Sequence, residues 1–355
     1  MKIVIFGLTV SSAWGNGHAT LWRSLIKALD EAGHEVVFFE QDTPYYASHR
    51  DLPELPGRAR LVLYPTWEAT WAVAMRDTNE ADAAIVTSYC PDGRIASELV
   101  LSSRARVRAF YDLDTPVTLD RLAAGEDVPY LPADGLAAFD LVLSFTGGKA
   151  LDALRDQLGA RAVAPLYGSV DPDAHRPVPA EAAWSSACSY LGTWSQDRQA
   201  ALEALFLEPA RRHAEPFVLG GAMYPPTIAW PPNVTRVEHV PPPAHPAFYC
   251  SSPLTVSVTR RAMAQLGYCP SGRLFEAAAC GVPVLSDAWE GIDTFFTPGE
   301  EILIADNSVD ALAAIGASRA SLAKIGARAR ERALDEHAGT HRAAELVAHL
   351  DGGAA

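Results

Sequence analysis

The chain has 355 residues, 49% hydrophobic and 20% charged, more than one core usually holds, so two domains are expected. Its formal net charge of −14 excludes the broad basic face that a nucleic acid or an anionic membrane demands. The five cysteines (Cys90, Cys188, Cys250, Cys269, Cys280) are odd in number and form no C-x-x-C pair, which points to reduced thiols in a cytoplasmic protein rather than a disulfide frame or zinc site.

The chain opens with MKIVIFGLTV, an apolar run too short for a signal peptide that soon meets Trp14, Asn16 and His18 instead of a small-residue cleavage site. No apolar stretch has the length of a membrane span. Short apolar runs then alternate with helical patterns. Strands are expected at 2–6, 35–40, 60–64, 83–87, 106–111, 141–145 and 160–166, and helices at 19–31, 67–76, 95–102 and 149–157. The alternation pauses at YGSVDPDAHRPVPAEAAW, which is rich in Pro and polar residues and reads as a linker. A second series follows, with strands at 188–191, 217–219, 236–240, 255–258, 282–286 and 301–304 and helices at 198–206, 272–280, 309–315 and 318–335. Such alternation implies crossover connections and parallel sheets covered on both faces. The expected architecture is therefore α/β, with two Rossmann-like domains facing a central cleft. They span 1–170 and 187–335, with a linker at 171–186 and a C-terminal helix and tail at 336–355 that can pack back on the first domain.

In these sheets ligands collect beyond the carboxyl ends of the strands, where helix N-termini point their amides. The first strand-to-helix turn carries Gly15, Asn16, Gly17 and then His18. The glycines let backbone approach a ligand, although the pattern is not a G-x-G-x-x-G fingerprint. His18 reads equally as a catalytic residue and as a polar helix-start residue. FYDLDTP puts Asp112 and Asp114 at a strand end on the same edge, where an Asp can orient His18, bind an acceptor hydroxyl, or simply form the turn before Thr115 and Pro116. Their D-x-D spacing also matches a metal motif of a one-domain fold, which the two-domain layout contradicts, so no metal site is expected. Thr193 and Arg198 follow the first strand of the second series. Arg198 there can grip a phosphate bidentately or be a solvated helix-face arginine. Arg260 and Arg261 precede the segment PSGRLFEAAACGVPVLSD, residues 270–287. Ser271 and Gly272 open a slim, alanine-rich helix whose amides an anion such as a diphosphate can approach directly. Arg273 adds a charge, and Glu276, one turn on, suits the paired hydroxyls of a ribose. The bland alternative is a surface Arg–Glu pair.

RLFEAAACGVPVLSD followed by WEGIDTFFTPGEEILI resembles the donor-binding segment of GT-B glycosyltransferases, and is most similar to the group related to the spore-maturation protein CgeB. VTRRAMAQLGYCPSGRLFEAAACG, HAGTHRAAELV and the linker-like YGSVDPDAHRPV carry the same resemblance, which is strongest over residues 254–349. It implies a metal-independent transferase with no cofactor beyond a nucleotide-sugar co-substrate, UDP- or dTDP-linked. The second domain would hold the donor and the first a small-molecule, glycan or protein acceptor. By the resemblance Glu276 would hold the ribose, and Glu290 and Gly291 would line the donor-sugar pocket. The retaining members carry a first Glu eight positions before the ribose Glu, where this chain has Tyr268. His18, oriented by Asp112, would act as base in an inverting transfer or position substrate in a retaining one. Two rival activities stay open: a nucleotide-sugar epimerase on the same fold, and a non-catalytic sugar-nucleotide-binding subunit.

Overall fold

In the computed structural model, which describes residues 1–352, thirteen strands form two separate sheets, and every neighbouring pair within them is parallel. The first sheet comprises β1 (Lys2–Gly7), β2 (Glu35–Gln41), β3 (Arg60–Tyr64), β4 (Ala83–Thr87), β5 (Val107–Asp112), β6 (Leu141–Ser144) and β7 (Val163–Pro165), in the order 3-2-1-4-5-6-7. The second comprises β8 (Cys188–Leu191), β9 (Phe217–Gly220), β10 (Val234–Val237), β11 (Thr255–Ser257), β12 (Val284–Ser286) and β13 (Leu303–Ile304), in the order 10-9-8-11-12-13. Each belongs to its own compact unit: Met1–Tyr167 with the segment from Gly339 onward, and Gly168–Ala338.

The strands read as continuous apolar runs because both faces are covered. Along β1, Val4 and Phe6 enter one core with Val37, Phe39, Ala84 and Val86, while Ile3 and Ile5 enter the other with Val36, Phe38, Ala83 and Ile85. The terminal helix Gly339–Gly352 packs on helix Gly17–Glu31, where Gly339 lies so close to Ser24 that a Cβ would fall 2.7 Å from its hydroxyl. The division thus falls after Tyr167 and after Ala338 rather than at 170 and 335, and the stretch expected as a linker folds with the second unit. No helix among the described residues is long and apolar enough to cross a membrane.

In both sheets the strand order reverses beside the first strand of its series, between β1 and β4 and between β8 and β11. Loops leave in opposite directions there, and the resulting crevice at the carboxyl ends is where such sheets take ligands.

Candidate functional site

In the second unit the loop after β8 carries Thr193 and Arg198, and the loop after β11 carries Arg260. These two loops flank the reversal point. Arg273 reaches them from the helix Gly272–Ala279. Its guanidinium lies 5.4 Å from the centre of the Tyr190 ring, and Nη1 donates to Ser257 Oγ at 3.3 Å. Gly192 is needed for that approach, since a Cβ there would meet Tyr190 Oη at 2.6 Å and Arg273 Nη2 at 2.8 Å. Arg198 donates from Nη1 to the Thr193 carbonyl at 3.1 Å, while its buried Nε has no partner. Burial lowers the pKa of the Arg198 guanidinium, and the neighbouring charges of Arg273 and Arg260 lower it further. An arginine does not escape such pressure by losing its proton. An anion beside the three guanidinium groups would relieve that crowding. Asp197 supplies part of one, pairing with Arg260 Nε at 2.9 Å. Burial raises the Asp197 carboxyl, but Ser195 and Arg260 outweigh it and hold the group below its ordinary range.

Gly272 opens its helix with nothing within 4 Å of where a Cβ would stand, and Ser271 makes no side-chain cap, so the helix start is clear for a ligand. One turn on, Glu276 is 12% exposed and accepts a hydrogen bond from Tyr249 Oη at 3.1 Å. Burial raises its carboxyl, but His175, His245, the Tyr249 hydroxyl and Arg273 together lower it below the usual range. Arg261 stands exposed at the start of the helix Arg261–Leu266.

Tyr268 takes a left-handed φ of +46°, held by its amide donating to the Glu290 carbonyl at 2.7 Å. Its ring fills the space over Gly291, where a Cβ would come within 2.5 Å. Gly291 is thus explained by packing against Tyr268. Tyr89 and Met223 also have positive φ, and all three residues lie in loops on the helix side of strands, where strain tends to accompany function.

In the first unit the same reversal point carries the loops after β1 and β4. Asn16 Oδ1 accepts from the His18 amide at 2.9 Å and so caps the helix Gly17–Glu31. The carboxylate beside His18 is Asp114, with Oδ2 at 3.5 Å from Nε2. The partnership expected of Asp112 therefore falls to Asp114. β5 ends at Asp112 and the chain turns, burying Asp112 completely. Asp112 Oδ1 accepts from the Asp114 amide at 3.1 Å, while Oδ2 has no partner. Burial pushes its carboxyl up to about 6. Tyr89 packs 5.6 Å from the His18 ring and 5.1 Å from Tyr130, whose hydroxyl pairs with Thr118 at 2.8 Å.

Two further groups left little or no signal in the sequence. Glu40 is fully buried and accepts from Thr9 Oγ1, the Val10 and Ser11 amides and Ser11 Oγ at 2.5–3.0 Å, which fixes the loop leading to His18. A charged residue ending an apolar strand is its only trace. His175 and His245 stand beside Glu276 but lie in Pro-rich stretches without periodicity.

Solved structures with this architecture include a sucrose-phosphate synthase from Thermosynechococcus elongatus, with a TM-score of 0.72 at 17% identity over 99% of this chain and 98% of that one. An alpha-glucosyltransferase bound to UDP-glucose and DNA containing an abasic site matches with a TM-score of 0.70 at 13% identity over 99% of both chains. HepE from Anabaena, in complex with UDP and glucose, matches with a TM-score of 0.65 at 14% identity over 99% of this chain and 100% of that one. The fold is GT-B. Residues 198–348 of this GT-B chain also match the family described as Glycosyl transferase-like, a segment that contains Arg198, Arg260, Arg273 and Glu276. No curated protein matches the sequence.

Proposed function

We propose that this protein moves a sugar from a UDP- or dTDP-linked donor to an acceptor hydroxyl without a metal ion in the transfer step. The observation that carries the reading is the cluster of Arg198, Arg260 and Arg273 beside the open start of the helix that also carries Glu276. Arginines and helix amides aimed at a leaving diphosphate stabilise the charge that develops on it, the task a cation performs elsewhere. Glu276 accepts from the ribose hydroxyls, and Glu290 borders the sugar. The match of residues 198–348 and the UDP complexes of HepE and the alpha-glucosyltransferase support a nucleotide-sugar donor. The motifs of residues 254–349 favour the CgeB-related group within that fold.

The first unit takes the acceptor through the loops bearing Gly15–Gly17, His18 and Asp114. His18 Nε2 receives the acceptor proton or orients its hydroxyl, and Asp114 holds the imidazole. Asp112, being wholly buried, acts on this loop as a positioning residue. The acidic net charge favours a small-molecule, glycan or protein acceptor over a nucleic acid. Tyr268, in place of the family's Glu, favours as a second reading a subunit that binds a sugar nucleotide without turning it over. Incubation with labelled UDP- and dTDP-sugars and an acceptor panel, in excess EDTA, separates the possibilities. A new glycoside is the expected product. An epimerised donor, or a bound and unchanged one, would replace the proposal, and activity restored only by Mn²⁺ or Mg²⁺ would remove its metal independence.

A further inference from the structure

Glu276 faces two histidines that sugar transfer leaves unused. His175 comes from the Pro-rich stretch after the first unit, and His245 opens the helix His245–Cys250. One nitrogen from each and one Glu276 oxygen lie within 4.8 Å of one another. His175 is 7% exposed, yet neither of its ring nitrogens has a partner. His245 Nε2 lies 3.0 Å from the Val240 carbonyl, an acceptor, so Nε2 carries the proton and donates it. That tautomer turns the Nδ1 lone pair toward Glu276 Oε2, 3.9 Å away, and Nδ1 is buried without a hydrogen bond. A lone pair facing a carboxylate is repelled by it. Either a proton on Nδ1 or a metal cation between them removes the conflict.

We infer that His175, His245 and Glu276 form a binding site for one divalent transition-metal ion of the zinc class. Ligands about 2.0–2.2 Å from a tetrahedral ion stand roughly 3.4 Å apart, so the His245–Glu276 edge, at 3.9 Å, needs to close by about 0.5 Å and the edges to His175, within 4.8 Å, by up to about 1.4 Å. The outer partners that such ligands require are in place: the Val240 carbonyl fixes the His245 tautomer, and the Tyr249 hydroxyl orients Glu276. Two imidazoles and one carboxylate select zinc or cobalt over magnesium, and three protein ligands leave a fourth position open. Because Glu276 is also the proposed ribose contact, metal and nucleotide exclude each other. That consequence alone rests on the proposed function. The ion would be an antagonist of the donor, and a chelator would not lower transfer.

The test is titration of the full chain with Co²⁺ after chelator treatment and desalting. One equivalent should produce a visible d–d absorption that Zn²⁺ abolishes and Mg²⁺ leaves unchanged, with no thiolate-to-cobalt band from the cysteines. His175→Ala and His245→Ala should each remove the absorption while still unfolding cooperatively in EDTA, His245→Ala at a lower temperature because it gives up the hydrogen bond to the Val240 carbonyl. Tyr249→Phe should weaken Co²⁺ binding about 10–100-fold. Failure to saturate near one equivalent, absorption surviving both histidine substitutions, or a thiolate band would overturn the site. Adding UDP should then bleach the absorption. Cobalt that UDP leaves in place would refute the Glu276–ribose contact while leaving the metal site standing.

Discussion

Asp112→Asn isolates the cost of burying a carboxyl at the end of β5. Asp112 is fully buried, one of its oxygens has no partner, and burial raises its carboxyl from an ordinary 3.8 to about 6. Between those values the folded protein binds more protons at this site than the unfolded chain does. Stability therefore falls as pH rises through that window and is level above it. At about 1.36 kcal/mol per pKa unit the whole change is about 3 kcal/mol. Asparagine is nearly isosteric and does not ionise, so the variant lacks this component. Its amide must still be accommodated where an oxygen had no partner, which costs about 1–3 kcal/mol at every pH. The diagnostic quantity is thus the difference between variant and parent, not either stability alone. Urea denaturation of both proteins from about pH 4 to about pH 8 should show the variant gaining about 2.4 kcal/mol relative to the parent across that range. A difference that stays constant with pH would show that Asp112 is not the raised carboxyl and refute the reasoning.

Three other outcomes are expected. Glu276→Ala should weaken UDP binding by about 1.5–3 kcal/mol, roughly 10–150-fold, while the melting temperature without nucleotide stays within a few degrees, since Ala is a good helix former; unchanged affinity by calorimetry would leave Glu276 with no role in the donor site. His18→Ala should lower kcat by roughly 10²–10⁴ with UDP affinity unchanged if its imidazole is the base; a loss of a few-fold, with a product that keeps the donor's anomeric configuration by NMR, would reassign it to orienting the acceptor. Met223 is 69% exposed with φ of +68°, so Met223→Gly should stabilise the protein by about 1 kcal/mol in denaturant titrations; a lower midpoint would mean that the side chain makes contacts that offset its strain.

The strands were legible because both faces of each sheet are buried, which leaves unbroken runs such as KIVIF and AAIVT. Legibility failed where local chemistry competed with the pattern. β10 lies at Val234–Val237 rather than 236–240, because the chain leaves the sheet before Pro241, Pro242 and Pro243. The helix Thr115–Ala123 hid behind a turn signal, although Pro116 sits in its first turn, where a missing N–H costs nothing. The helix expected at 198–206 runs on to Arg212 but passes through a π-helical turn at Glu203–Leu207 ahead of Pro209, which has no N–H to donate. At the site, Arg198, Arg260, Arg273 and Glu276 were visible from their places after strands and at a helix start. Asp112 and Asp114 were not separable, because the turn that buries one and turns the other toward His18 depends on where β5 ends. His175 and Tyr249 reach Glu276 only through tertiary packing, which no spacing encodes.

The most direct test of the donor site compares UDP, UMP and uridine by calorimetry in EDTA, using the parent and Arg273→Ala. The arginine cluster predicts one UDP per chain, affinity that falls at least about 10-fold with loss of the diphosphate, and an Arg273→Ala penalty confined to the phosphorylated ligands. Equal affinity for UDP and uridine, or binding that Arg273→Ala leaves unchanged, would contradict it.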